Sequence, residues 1–104
     1  MTQQIRQSPI DRKREILGHA LIVARIAGYQ HINRKEIADA AGCTTTLVSH
    51  YFGTILNMRR AIMGEAIRVG DLDVIAQGML ARDPRALRVN GEIKTAVMNR
   101  MAAL

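Results

Sequence analysis

The sequence predicts an all-α fold, with three helices in the first half and a short helical extension after them. Three observations point there. Apolar residues recur at helical spacing in several windows. Asp, Asn and Thr stand before those windows and Gly after them, as helix caps and stops. The β-branched residues are scattered and never alternate over a useful length, so no strand is expected.

Residues 1–10, polar and carrying Arg6 and Pro9, read as a flexible basic arm. From Asp11 the pattern turns helical, and Ile16, Leu17, Ala20, Leu21, Ala24 and Ala27 form one apolar stripe. Asp11 is the expected N-cap and Gly28 the stop. Arg12, Lys13 and Arg14 then fall in the first turn, where the helix dipole slightly disfavours cations. Use by an anionic partner and a plain solvated helix start are both open readings of that cluster.

A second, short helix is expected after the N-cap Asn33, ending at Gly42, with Ile37, Ala38 and Ala41 as its apolar positions. The third starts at Thr44 or Thr45 and reaches Tyr51 or Phe52. Gly53 and Thr54 break and recap the chain. A fourth covers 55–69, with Ile55, Met58, Ile62, Ala66 and Val69 on one face. In the tail, Leu72, Ile75 and Met79 suggest a short helix. Asp83 before Pro84 is a helix start, because proline suits the first turn, and Asn90 with Gly91 interrupts the helix begun there. Ile93, Val97, Met101 and Leu104 form a last stripe, read as a contact surface for the chain's own helices or for a second copy.

With 104 residues the chain is one small domain or a domain plus an extension. Its formal net charge of +6 favours an anionic partner, nucleic acid ahead of a membrane surface. The charge is uneven: residues 1–70 carry ten basic and five acidic side chains, residues 71–104 five and four. Two parts with different tasks are therefore expected. Cys43 is the single cysteine, which forbids an intrachain disulfide and suits a reducing cytoplasm. The longest strictly apolar run, residues 20–24, is far short of a membrane span, and the polar N-terminus has no secretory core.

Residues 34–53 have the spacing of a helix-turn-helix. Ile37 and Ala38 face the partner helix, Gly42 supplies the tight turn, Cys43 follows as a small apolar residue, and Val48 and Phe52 anchor the second helix. In such a motif the second helix enters the DNA major groove. Thr44, Thr45, Thr46, Leu47, Ser49 and His50 then face outward. Threonine hydroxyls can bond base edges or phosphates and their methyls can touch thymine, which accounts for three poor helix formers in a row. Arg34 and Lys35, at the start of the first motif helix, are expected to bind phosphate. The alternatives are capping by one threonine, solvent exposure of the others and of His50, and a solvated face for the two cations.

The run RKREILGHALIVARIAGYQHINRKEIADAAGCTTTLVSHYFG resembles the N-terminal DNA-binding domain of the TetR family of bacterial transcriptional regulators. The shared features are Ile16–Leu17, Ala20–Leu21, Gly28–Tyr29, Ile37–Ala38, Ala41–Gly42 and Tyr51–Phe52, and they cover about residues 12–65. The resemblance implies three helices forming the DNA-binding domain over 11–53, the third being the recognition helix, and a homodimer reading a palindrome. It also implies a phosphate contact from Tyr51. Two positions depart from it: Ser49 stands where the family usually has an aromatic, and Ile55 where it usually has lysine. Those departures either weaken DNA binding or shift its backbone contacts to Arg59, Arg60 and the N-terminal arm; loss of DNA binding is the third reading.

Family members usually continue into a long ligand-binding domain. Here 34 residues come after Gly70, too few to enclose a drug-sized pocket alone. Residues 54–104 are therefore expected to be a connecting helix and a short dimerisation extension using Ile93, Val97, Met101 and Leu104. The expected function is a cytoplasmic, nucleoid-associated, sequence-specific regulator, a repressor acting as a homodimer on double-stranded DNA, with no membrane partner, cofactor or large ligand. The alternative is a protein-interaction module, an antirepressor or inhibitor built on the same motif. Catalysis is not expected, because His19, His31, His50 and Cys43 lack metal-ligand spacing and no nucleophile or phosphate-loop motif occurs.

Overall fold

The computed structural model describes residues 8–103, and these form seven helices without a strand. Residues 1–7 of the expected arm, Arg6 included, and Leu104 lie outside the described residues. The helices are α1 (Pro9–Ala27), α2 (Arg34–Ala41), α3 (Thr45–Phe52), α4 (Ile55–Val69), α5 (Leu72–Leu80), α6 (Pro84–Leu87) and α7 (Gly91–Ala102).

Helix α1 starts earlier than expected. Its cap is Ser8, whose Oγ accepts the Asp11 N–H at 3.2 Å, and Pro9 fills the first helical position. Asp11 therefore sits inside the first turn, where a carboxylate is favoured, and the cations Arg12, Lys13 and Arg14 begin the next turn. Residues 9 and 10 belong to the helix rather than to an arm. Ile16, Leu17, Ala20, Leu21 and Ala24 are buried as the stripe requires, whereas Ala27, the last residue of the helix, is exposed.

Around α1 lie α2, α4 and α5; α3 packs on α2 and α4; α6 and α7 pack on α5. One apolar core runs through all of them, from Ile16 and Ile37 through Val48, Phe52, Met58 and Ile62 to Ile75, Ala86 and Val97. The tail is thus continuous with the first half, and three polar ties reinforce the junction. Asp71 caps α5 by accepting the Val74 N–H at 3.2 Å and accepts Arg25 Nε at 2.7 Å. Gln77 accepts the Tyr29 N–H at 2.9 Å and donates to the Ala24 carbonyl at 2.9 Å, satisfying the end of α1. The Tyr29 hydroxyl donates to Asp83 at 2.9 Å. Burial first, then the bond to Asp83 and its charge, push the Tyr29 phenol far above its ordinary value.

Val69, expected on the apolar face of α4, is exposed, while Met63 and Glu65 are buried on that helix. Glu65 is tolerated there because Arg68 forks onto both its oxygens at 2.6 and 2.8 Å. That pairing holds its carboxyl below the usual glutamate range against the opposing effect of burial. The expected helix after Pro84 is only four residues long, closing at Arg88 before Asn90 caps α7.

Candidate nucleic-acid interface

Two eight-residue helices, α2 and α3, are joined by Gly42, Cys43 and Thr44. Asn33 and Glu36 form a reciprocal capping box at the start of α2. Gly42 closes α2 at φ 66°, and the next N–H, from Cys43, bonds the Ala38 carbonyl at 2.9 Å. A Cβ at Gly42 would meet nothing within 4 Å, so conformation rather than space selects glycine. The Thr44 Oγ accepts the Leu47 N–H at 3.1 Å and caps α3. At the far end Gly53 has φ 69° and ψ −125°, a combination essentially confined to glycine. Its carbonyl accepts Arg34 Nη2 at 2.8 Å.

These bonds divide the expected contact residues. Thr45, Thr46, Ser49 and His50 are all exposed, and spacings of four residues set them in two adjacent rows on one face of α3. Val48 and Phe52 are buried on the opposite face, with Leu47 and Tyr51 half-buried at its flanks. Leu47 therefore turns inward instead of outward, because the apolar side chain packs on the core beside Val48. Thr44 is exposed, but its hydroxyl is committed to the cap. Arg34, expected on phosphate, instead ties the start of α2 to the end of α3, and it is a positioning residue for that helix. Lys35 is exposed and pairs with Asp39 at 2.8 Å, a carboxylate that raises its pKa. An exposed i,i+4 pair of this kind is worth little and exchanges readily for another anion.

Tyr51 meets the His50 ring edge-on at 5.3 Å between centroids, and Lys13 Nζ lies 5.5 Å from the centre of the Phe52 ring. Lys13, Tyr51, Phe52, Asn57, Arg60 and Arg85 surround a depression of about 310 Å³ at this end of α3. Lys13 belongs to the cationic cluster for which an anionic partner was one reading; Arg85 is the residue sequence reasoning missed here. Arg85 arrives from α6, held by its Nη1 bond to the Arg60 carbonyl at 2.7 Å, and no local pattern announces such a contact. Arg59, expected on DNA, lines a different cleft with Tyr29 and Asp83, one to which α3 contributes no residue. Arg60 and Arg85 border both that cleft and the depression beside Tyr51, so the two adjoin along α4.

The expected dimerisation stripe is largely used by the chain itself. Val97 is fully buried in the core, and Ile93 is half-buried against it. The physical reason is the seat of α7 on α5, reinforced by Arg100 Nε to Asp73 at 3.1 Å. Met101 is exposed, and its neighbour Met98 is 68% exposed.

Among the described residues, no group of three or more His, Cys, Asp or Glu is placed to hold a metal ion, and no helix is long and apolar enough to cross a membrane. No family model, curated protein or solved structure matches the chain.

Proposed function

We propose that α2 and α3 form a DNA-binding helix-turn-helix with α3 in the major groove, and that the chain is a sequence-specific regulator, a repressor acting as a homodimer. The observation that carries this reading is the exposed face of Thr45, Thr46, Ser49 and His50 on a helix with no acidic residue. All four side chains present hydrogen-bonding groups, which is what base edges demand. Cations stand near the face: Lys35 on α2, next to the Arg34 that bonds the Gly53 carbonyl at the end of α3, and Lys13, Arg60 and Arg85 around the depression beside Tyr51. Phosphate contacts from such cations set register while the central face discriminates bases.

Gel-shift titration against genomic fragments tests the reading. One fragment should bind far better than random duplex at moderate salt. Thr45→Ala and His50→Ala should relax sequence preference. Lys35→Ala should weaken all duplexes alike and lower the salt slope by about 1. Equal affinity for every fragment would sink the specific-regulator reading, and capture of a protein partner after nuclease treatment would favour an interaction module.

A homodimer is expected because one recognition helix seldom supplies enough affinity, and two-fold symmetry doubles the contacts. With Val97 buried, the exposed large apolar residues of α7 that could meet a second copy are Met98 and Met101. Light scattering should give twice the chain mass, falling to the single mass in Met98→Lys with Met101→Lys. A single mass for the unaltered chain refutes the dimer.

A further inference from the structure

The cleft lined by Arg59 shares Arg60 and Arg85 with the depression beside Tyr51 and adds Arg59, Arg82 and Arg88, which the DNA reading does not use. It measures about 520 Å³, within the range of small-molecule sites. Five arginines line it: Arg59 and Arg60 from α4, Arg82 from the α5–α6 turn, and Arg85 and Arg88 from α6 and its end. Asp83 is the one carboxylate among the lining residues. Its oxygens are engaged, Oδ1 by the Arg85 N–H at 2.9 Å and Oδ2 by the Tyr29 hydroxyl at 2.9 Å. Among the described residues none of the five guanidinium groups forms an ion pair.

Gathering five like charges around a single carboxylate opposes folding, and two details show the arrangement is held in place. Arg85 is fixed by its Nη1 bond to the Arg60 carbonyl. Arg82 ends α5 at φ 58°, where its N–H bonds the Met79 carbonyl at 3.1 Å. Glycine is the cheaper residue at such a left-handed helix end; arginine there costs roughly 1 kcal/mol in backbone strain. In addition, the Nε of Arg59 is buried and bonded to no described group. Leu56, Ala81 and Pro84 add apolar surface to the same wall.

We propose that this cleft binds an organic diphosphate, a small molecule whose diphosphate lies among the arginines and whose organic body rests on Leu56, Ala81 and Pro84. Guanidinium forks match phosphate oxygens in pairs. The cleft draws no residue from α2 or α3, and because Arg60 and Arg85 also border the depression beside Tyr51, the residues that separate the two readings are Arg82 and Arg88.

Calorimetric titration of the full chain, without DNA, is the test, using inorganic pyrophosphate and a nucleoside diphosphate as probes. Saturable one-to-one binding is expected for both, tighter for the nucleoside diphosphate because of its organic body. Arg82→Gly keeps the backbone conformation while removing the guanidinium, and Arg88→Gln removes a charge from an exposed position. Each should weaken binding roughly tenfold, with helical circular dichroism unchanged. Thr46→Ala on α3 should leave binding intact. The proposal is overturned by absence of saturable binding, by affinities untouched in Arg82→Gly and Arg88→Gln, or by equal affinity for the two probes. It is also overturned if those two variants weaken duplex DNA but not pyrophosphate, which would make the cleft a track for the DNA backbone.

Discussion

Tyr29 shows how much a single residue contributes at a junction. It is 3% exposed, its N–H is held by Gln77, and its hydroxyl is held by Asp83. A hydrogen bond to a charged acceptor is worth about 1.5–3 kcal/mol net, so Tyr29→Phe should destabilise by about that amount. The pH dependence has a definite sign. The phenol acts while protonated, and its folded value is raised. Its contribution is therefore full below the ordinary tyrosine value of about 10 and is lost as pH climbs from there toward the folded value. Ultraviolet titration should show Tyr29 ionising only together with unfolding, a step missing in Tyr29→Phe. A reversible ionisation near pH 10 in the folded chain, assigned by that variant, would contradict the hydrogen bond. Arg34 makes the same point for α3: its guanidinium serves the Gly53 carbonyl, so its substitution should disturb helix placement rather than a phosphate contact.

Among the elements, α5 carries a glycine with no room for a side chain. Gly78 is buried where α5 meets α4 and α6, and a Cβ there would lie 2.7 Å from the Ala86 Cβ and collide with the end of Met63. Met63 can swing aside; the Ala86 Cβ is fixed to the backbone and cannot. Alanine gains about 1 kcal/mol in helix propensity, against about 1–3 kcal/mol for overpacking. The clash should win, because relieving it moves all of α6. Gly78→Ala is expected to lower Tm in a thermal melt, by about 4–8 °C for each kcal/mol lost. An unchanged or higher Tm would mean that α6 yields freely. The arginine cleft should also widen in this variant, since α6 carries Arg85.

At the scale of the whole molecule, one core runs through a body 48 Å long, 30 Å wide and 22 Å deep, with the tail built in. The Arg25–Asp71 pair, the Gln77 bridge and the Tyr29–Asp83 bond all cross from the first half to residues beyond Gly70. Ending the chain at Gly70 would strip Val74, Ile75, Ala86 and Val97 from the core and expose Met63 and Ala66. Urea unfolding of residues 1–70 should therefore show a shallow, early transition, where the full chain gives one cooperative step. A truncated chain that melts as sharply as the parent would make the tail an independent appendage, as the charge difference between the halves suggested.

The sequence by itself determined the helices and most of their ends, because caps, glycine stops and 3.6-residue periodicity are local physics. Asn33, Gly42, Thr54, Pro84 and Asn90 all mark ends that the structure keeps. The cap on α1 was misassigned only because Ser8 and Asp11 are both good cap residues three positions apart. The exposed face of α3 was legible for the same reason, since Val48 and Phe52 fix which side is buried. Tertiary structure decided the rest. It turned Leu47 inward, gave Arg34 to Gly53 and Arg59 to the cleft, buried Val97 within its own chain, and brought Arg85 across to Arg60. Each of those outcomes depends on how far apart in sequence the partners stand and on which helix reaches them. No periodicity within one element encodes that.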